Sequence, residues 1–140
     1  MRLPEKIVDA NVILRFFVRD NEEQFLRAKA FIQRLELGKE DVLMTEIVFA
    51  EVVWVLNKVY EVPRQEIADT FSKVIGYRGI RTMLEKEIFR ESLRLYAKHS
   101  LDIQDVFLAV LSKNKGCPII TFDKHDFKNC IATSASHKSI

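Results

Sequence analysis

The pattern of hydrophobic and polar positions alternates along the chain between one that is typical of strands and one that is typical of helices. Short apolar segments predict strands over 6–8, 42–44, 79–82 and 118–122. Longer segments, with apolar residues every three or four positions, predict helices over 11–17, 22–37, 46–60, 63–76, 85–99 and 103–116. Because strands and helices alternate, the pattern predicts an α/β domain with a mainly parallel sheet.

Capping residues support these helix boundaries. Thr45 and Asp102 stand directly before apolar helical segments, where an N-cap side chain binds free backbone N–H groups. Gly38, Gly76 and Gly116 follow the last apolar positions of three helices, where glycine is the common stop. The predicted elements are therefore defined at their ends as well as by their periodicity.

The length of 140 residues suits a single domain. We expect this domain to occupy residues 1–130 and the small, polar residues 131–140 to form a loosely held tail. No signal peptide is recognisable, and no apolar run approaches the roughly 20 residues that cross a bilayer. A cytoplasmic protein without membrane contact is therefore expected. Cys117 and Cys130 form neither a disulfide framework nor a zinc-binding pattern.

The net charge of +2 and the pI of about 8.5 are only weakly basic. This balance does not by itself indicate a nucleic-acid partner. If several acids converge on one site, however, the remaining surface is more basic than the total suggests.

Two aspartates directly follow predicted strands. Asp9 comes after the strand at 6–8, and Asp123 comes after the strand at 118–122. In open parallel sheets, sites lie beyond the carboxyl ends of the strands, so both carboxylates are expected near one location. Asp is also a common turn and N-cap residue, and Asn11 competes for the cap of the helix that follows Asp9.

Glu51 interrupts the apolar segment 47–56. A helix that is apolar on nearly every face is expected to be buried, and a buried carboxylate must be paired, neutralised or bound to a cation. A structural ion pair with Arg or Lys is the alternative explanation.

Two further acids, Asp102 and Asp105, stand at the start of the last predicted helix. Asp102 is the expected N-cap, which places Asp105 at the third helical position. A capping role accounts for Asp102 better than for Asp105, because the preference for aspartate is stronger at the N-cap.

These acids would form a ligand set made only of oxygen, which suits Mg²⁺ or Mn²⁺. Four segments carry a more specific resemblance: IVDANVIL (7–14), TEIVFAEV (45–52), LDIQDVFLA (101–109) and ITFD (120–123). In order, spacing and chain length they resemble the four characteristic stretches of PIN-domain ribonucleases, above all the VapC toxins of toxin–antitoxin pairs. The resemblance extends to about Lys128.

The resemblance implies a PIN-like α/β fold, in which helices flank a central, mainly parallel sheet. It also implies Mg²⁺- or Mn²⁺-dependent hydrolysis of RNA, with tRNA or ribosomal RNA as the substrate class. By the same resemblance the metal-binding acids are Asp9, Glu51, Asp105 and Asp123. Thr45 and Asn11 correspond to positions that order the site, whereas Asp102 remains a cap and Asp126 has no assigned role. The resemblance further implies a homodimer and a cognate antitoxin that covers the site.

Basic and aromatic residues supply candidate contacts for these partners. Cations that flank the four segments are candidates to hold RNA phosphates, with solvated surface charges as the alternative: Arg15, Arg19, Lys58, Lys113, Lys115 and Lys124. Aromatic residues are candidates to line a groove for an antitoxin helix, with ordinary core packing as the alternative: Phe16, Phe17, Phe25, Phe31 and Trp54.

Two other functions fit parts of the pattern. One is a catalytically silent PIN-like module that binds RNA or protein, although the complete acid set argues against it. The other is a phosphatase resembling the haloacid dehalogenases, with Asp9 as nucleophile. That chemistry requires a second Asp two residues later, where this chain has Asn11.

Overall fold

Capping residues and glycines set several helix boundaries in the computed structural model, which describes residues 2–122 and the backbone of 137–138. The Thr45 side chain accepts a hydrogen bond from the Val48 N–H at 3.2 Å, and Gly116 ends the last helix in the left-handed conformation. Within residues 2–122 the α-helices are α1 (Ala10–Phe17), α2 (Glu22–Glu36), α3 (Glu46–Lys58), α4 (Arg64–Ile75), α5 (Lys86–Lys98) and α6 (Ile103–Lys115). All six predicted helices are confirmed, with ends that differ by a few residues at most.

The strands are short and parallel. They are β1 (Val42–Leu43), β2 (Ile80–Arg81), β3 (Ile119–Ile120) and β4 (His137–Lys138). β1 pairs with β2, and β3 pairs with β4. Ile7 adds a single parallel bridge to Leu43, supported by the Val8 N–H, which donates to the Leu43 carbonyl at 3.1 Å. The parallel α/β arrangement is confirmed, although β1, β2 and β3 are each shorter than the apolar segment that predicted them, and β4 was not predicted.

Gly79 brings β2 close to the end of α2. A Cβ at this position would lie 2.1 Å from the Glu40 carbonyl oxygen and 2.8 Å from the Leu35 Cα atom. The Gly79 N–H donates to the Leu35 carbonyl at 2.7 Å, and its own carbonyl accepts from the Val42 N–H at 2.8 Å. Glycine is required here because a side chain would separate β2 from β1.

Helix α3 lies at the centre of the packing and contacts α1, α4 and α6. Its Phe49 side chain is fully buried among the rings of Phe71, Phe89 and Phe107, at centroid distances of 5.4, 5.0 and 5.9 Å. A second, smaller apolar cluster joins α5 to α6. The helices that carry the candidate acids are therefore held to one another through α3. In the part of the chain that the structure describes, no helix has the length and apolar character needed to cross a membrane.

Candidate functional site

Asp9 occupies the N-cap position of α1, directly after the strand-like segment that contains Ile7. Its carboxylate makes no capping hydrogen bond. The side chain is exposed, and no Lys or Arg among residues 2–122 forms an ion pair with it. Asp9 rather than Asn11 therefore takes the cap position, and its carboxylate remains available to a cation.

Glu51 lies on the exposed side of α3, so the prediction that it is buried is wrong. The buried face of this helix is formed by Phe49, Val52, Val53 and Leu56. On the other face Ile47 is 82% exposed and Trp54 is 45% exposed, at positions i−4 and i+3 from Glu51. The apolar residues of α3 therefore form both its buried face and part of its exposed face. Burial does not explain why Glu51 is present. Within the described residues Glu51 has no ion pair.

Asp102 and Asp105 lie at the start of α6, as predicted. Asp102 is the N-cap residue, but its exposed side chain makes no capping hydrogen bond. Burial raises the pKa of Tyr96 above its ordinary value; the Arg64 guanidinium opposes this increase, and the negative charge of Asp102 adds to it. Asp105 is half-buried in the first turn of α6. The two acids therefore differ in exposure, since Asp102 is exposed and Asp105 is half-buried.

The fourth predicted acid, Asp123, lies outside the described residues, as do Lys124, His125, Asp126 and Cys130. Within residues 2–122, no group of three or more Asp, Glu, His or Cys side chains is close enough to hold a metal ion. Asp9, Glu51 and Asp105 therefore do not form a complete ligand set by themselves.

The backbone nevertheless brings the predicted segments to neighbouring places. Asp9 and Thr45 each stand just beyond the carboxyl end of one of two adjacent parallel segments, joined at Ile7 and Leu43. Helix α3, which carries Glu51, packs against both α1 and α6. The donors fit a hard divalent cation in chemistry, because they are carboxylates, and Asp9 and Glu51 have no cationic partner within the described part of the chain.

A groove of about 840 Å³ opens beside Asp9, between the segment at Ile7, α1 and α2. Its polar wall includes several basic side chains: Lys6, Arg15, Arg27 and Arg34. Arg27 and Arg34 were not among the predicted RNA contacts. Their spacing of seven residues, about two helical turns, places them on one side of α2 and is the sequence signal that identifies them.

Three of the predicted phosphate-binding cations already have acidic partners. Arg15 lies 3.2 Å from Asp20, and a hydrogen bond to Tyr60, with the nearby Asp20 carboxylate, raises its pKa. Arg19 pairs with Glu22 at 2.6 Å and Lys115 pairs with Glu85 at 2.9 Å. Lys58 and Lys113 are exposed and form no ion pair within residues 2–122.

The five predicted aromatic residues do not line one common groove. Only Phe31 lines the groove beside Asp9. Phe16 and Phe17 pack against the core, and the Phe17 ring lies 5.7 Å from that of Phe71. Trp54 is exposed on the same face of α3 as Glu51. The core-packing alternative therefore applies to Phe16 and Phe17, and in part to Phe31, which also packs against the core.

Similarity to known proteins agrees with the family that the four acidic segments resemble. The PIN-domain family matches residues 6–130, a range that contains all four predicted acids. A VapC ribonuclease of Aquifex aeolicus (strain VF5) is 27% identical over 111 residues, which cover 79% of this chain and 81% of that protein. No solved structure matches the chain significantly. The resemblance noted in the sequence is thereby confirmed, and the chain belongs to the PIN-domain family.

Proposed function

We propose that this protein is a Mg²⁺- or Mn²⁺-dependent endoribonuclease that hydrolyses RNA phosphodiester bonds, and that its metal ligands are Asp9, Glu51, Asp105 and Asp123. The observation that carries the proposal is the PIN-domain match, which spans all four acids. The similarity to a VapC ribonuclease supports RNA as the substrate. The carboxylate of Asp9, which has no ion-pair partner among residues 2–122, lies at the end of a parallel segment and supports a cation site there.

Electrostatics explains why such a set would need a cation. In the proposed metal-bound arrangement four carboxylates would make six repulsive pairs, and at about 5 Å and an effective dielectric of about 20 each pair would cost roughly 3 kcal/mol. The sum exceeds the roughly 5–15 kcal/mol of net stability that is typical of a domain. Bound divalent ions would relieve this repulsion, activate water and stabilise the leaving oxygen of the phosphodiester.

The residues of the chain would have separate tasks in this reaction. The four carboxylates would hold the ions, and the Thr45 hydroxyl fixes the first turn of α3, which leads to Glu51. Basic side chains of the groove beside Asp9 would hold RNA phosphates. Arg27 is the best candidate, because within the described residues it has no acidic partner, whereas Arg15 and Arg34 pair with Asp20 and Glu40.

The proposal extends to a toxin role, with tRNA or ribosomal RNA as target, a homodimer and a cognate antitoxin. A protein that covers the site would find apolar surface directly beside Glu51. Ile47 and Trp54 flank this acid on α3 and are largely exposed. Burying such side chains is a common source of affinity in protein interfaces.

Metal binding and RNA cleavage by the purified chain test the proposal together. We expect cleavage of tRNA or ribosomal RNA with Mg²⁺ or Mn²⁺, none with EDTA, and a loss of Mn²⁺ binding in Asp9→Asn. Asp69→Asn is the matched control, because Asp69 is exposed on α4 and, among residues 2–122, accepts a hydrogen bond only from Gln65. Wild-type protein that binds no Mn²⁺ and cleaves none of these RNAs would refute the proposal.

A catalytically silent PIN-like module is the second candidate. It is favoured by one observation, that the described residues hold no group of three acids close enough to bind a metal. The same assay separates the two functions. RNA binding that is insensitive to EDTA and is not followed by cleavage would support the silent module.

A further inference from the structure

Arg64 binds the backbone that connects α5 to α6. Its Nη1 atom lies 3.0 Å from the carbonyl oxygen of Tyr96, 2.7 Å from that of His99 and 2.8 Å from that of Leu101. Its Nη2 atom lies 3.2 Å from the carbonyl oxygen of Ser100. A single guanidinium at the start of α4 thus contacts four carbonyls that lie 32 to 37 residues further along the chain.

The position of the guanidinium is fixed by packing as well as by hydrogen bonds. Its central carbon lies 4.0 Å from the ring centroid of Tyr96, a side chain that is 2% exposed. A guanidinium over an aromatic face gains cation–π energy, and its planar fork can serve several acceptors at once. Lysine can still make a cation–π contact, but its ammonium is a point charge on a flexible stem and lacks the planar fork.

These carbonyls belong to the end of α5 and to the connection that leads into α6. The Tyr96 carbonyl is in the last turn of α5, where carbonyl groups lack partners within the helix. The Leu101 carbonyl immediately precedes Asp102, the N-cap of α6. Because the Asp102 side chain makes no capping hydrogen bond, the start of α6 depends on other contacts for its position.

We propose that Arg64 is a positioning residue of the metal site: by tying the connection 99–101 to α4 and Tyr96, it sets where α6 begins and so where Asp105 lies. This inference rests on the proposed role of Asp105 as a metal ligand. Arg64 itself contacts backbone and an aromatic ring, and it acts on the ion only through α6.

The test compares wild type with Arg64→Gln and Arg64→Lys, using Arg94→Gln as a matched control. Arg94 is an exposed arginine of α5 that pairs with Glu91, one turn away. The measurements are Mn²⁺ affinity by calorimetry and amide hydrogen exchange at residues 101–106. Both can be made without RNA, so they do not depend on catalysis.

For Arg64→Gln we expect Mn²⁺ affinity to fall by about tenfold or more, within the range found when residues that orient metal ligands are replaced. Exchange at residues 101–106 should become faster, while amides in α3 should be unaffected. Arg64→Lys should lie between wild type and Arg64→Gln, and it remains informative if Arg64→Gln fails to fold. Arg94→Gln should behave as wild type.

Two results separate failure of this inference from failure of the proposed function. Arg64 variants that are less stable but bind Mn²⁺ as wild type does would show that Arg64 has a structural role only, which overturns the inference. Wild-type protein that neither binds Mn²⁺ nor cleaves RNA would overturn the proposed function, and the inference with it.

Discussion

The rings of Phe49 in α3 and Phe107 in α6 lie 5.9 Å apart. Phe49 precedes Glu51 by two residues, and Phe107 follows Asp105 by two residues. This contact therefore links the two helices that carry candidate metal ligands. The relative position of the two acids depends on aromatic packing in the core as well as on the acids themselves.

Replacing Phe49 with alanine should destabilise the fold by about 3–5 kcal/mol. The side chain is fully buried, so its removal leaves a cavity and eliminates three ring contacts. Urea denaturation measures this cost. Phe25→Ala, at a half-buried position on α2, should cost much less. Equal destabilisation of the two variants would contradict the central place given to Phe49.

Thr45→Ala should lower the free energy of unfolding by about 1 kcal/mol, because it removes the hydrogen bond that the side chain accepts from the Val48 N–H. Thermal unfolding measures the change. Thr70→Ala is the control, since the Thr70 hydroxyl donates to the Glu66 carbonyl within α4 and alanine is the better helix former. A cost for Thr70→Ala as large as that for Thr45→Ala would show that the cap has no special role.

Glu40 joins the segment before α1 to the end of α2. Its carboxylate accepts hydrogen bonds from Lys6 at 2.5 Å and from Arg34 at 2.9 Å, and these contacts, Lys6 first, lower its pKa below the ordinary value. A lowered folded-state pKa stabilises the native protein above the unfolded-state pKa. That stability is lost as the pH falls through the folded-state pKa.

We therefore expect Glu40→Gln to melt below wild type at neutral pH, with a difference that shrinks as the pH falls to about 3. Melting temperatures across this pH range test the expectation. Glu23→Gln, which removes an exposed acid of α2, should show no such convergence. A difference between Glu40→Gln and wild type that stays constant with pH would exclude the ion pairs as its cause.

The features that sequence predicts well here are local. Thr45 and Asp102 identify helix starts because the N-cap preference acts over three residues, and Gly116 marks a helix end because glycine readily adopts positive φ. The position of Asp9 at the end of a strand-like segment is predictable because this signal is also local. The apolar segment and the polar residue that terminates it are adjacent in sequence.

The features that sequence predicts poorly depend on packing between distant segments. The apolar run around Glu51 suggested burial on every side, but only the tertiary structure shows that Ile47 and Trp54 face outward. The contacts of Arg64 span 32 to 37 residues and use backbone carbonyls, which have no signature in the amino-acid sequence. The hydrogen bond from Arg15 to the Tyr60 hydroxyl spans 45 residues and likewise depends on how α1 meets the end of α3.

Comparing Asp105→Asn with Asp102→Asn is the sharpest test of whether selected carboxylates hold a catalytic cation. Both variants change one carboxylate to an amide in the first part of α6, and asparagine also caps helices well. The measurement is the rate of RNA cleavage with Mg²⁺, with and without EDTA, for both variants and wild type. We expect Asp105→Asn to be folded but inactive and Asp102→Asn to retain most of the EDTA-sensitive activity. Wild-type cleavage that persists in EDTA, or an Asp105→Asn variant as active as wild type, would contradict this expectation.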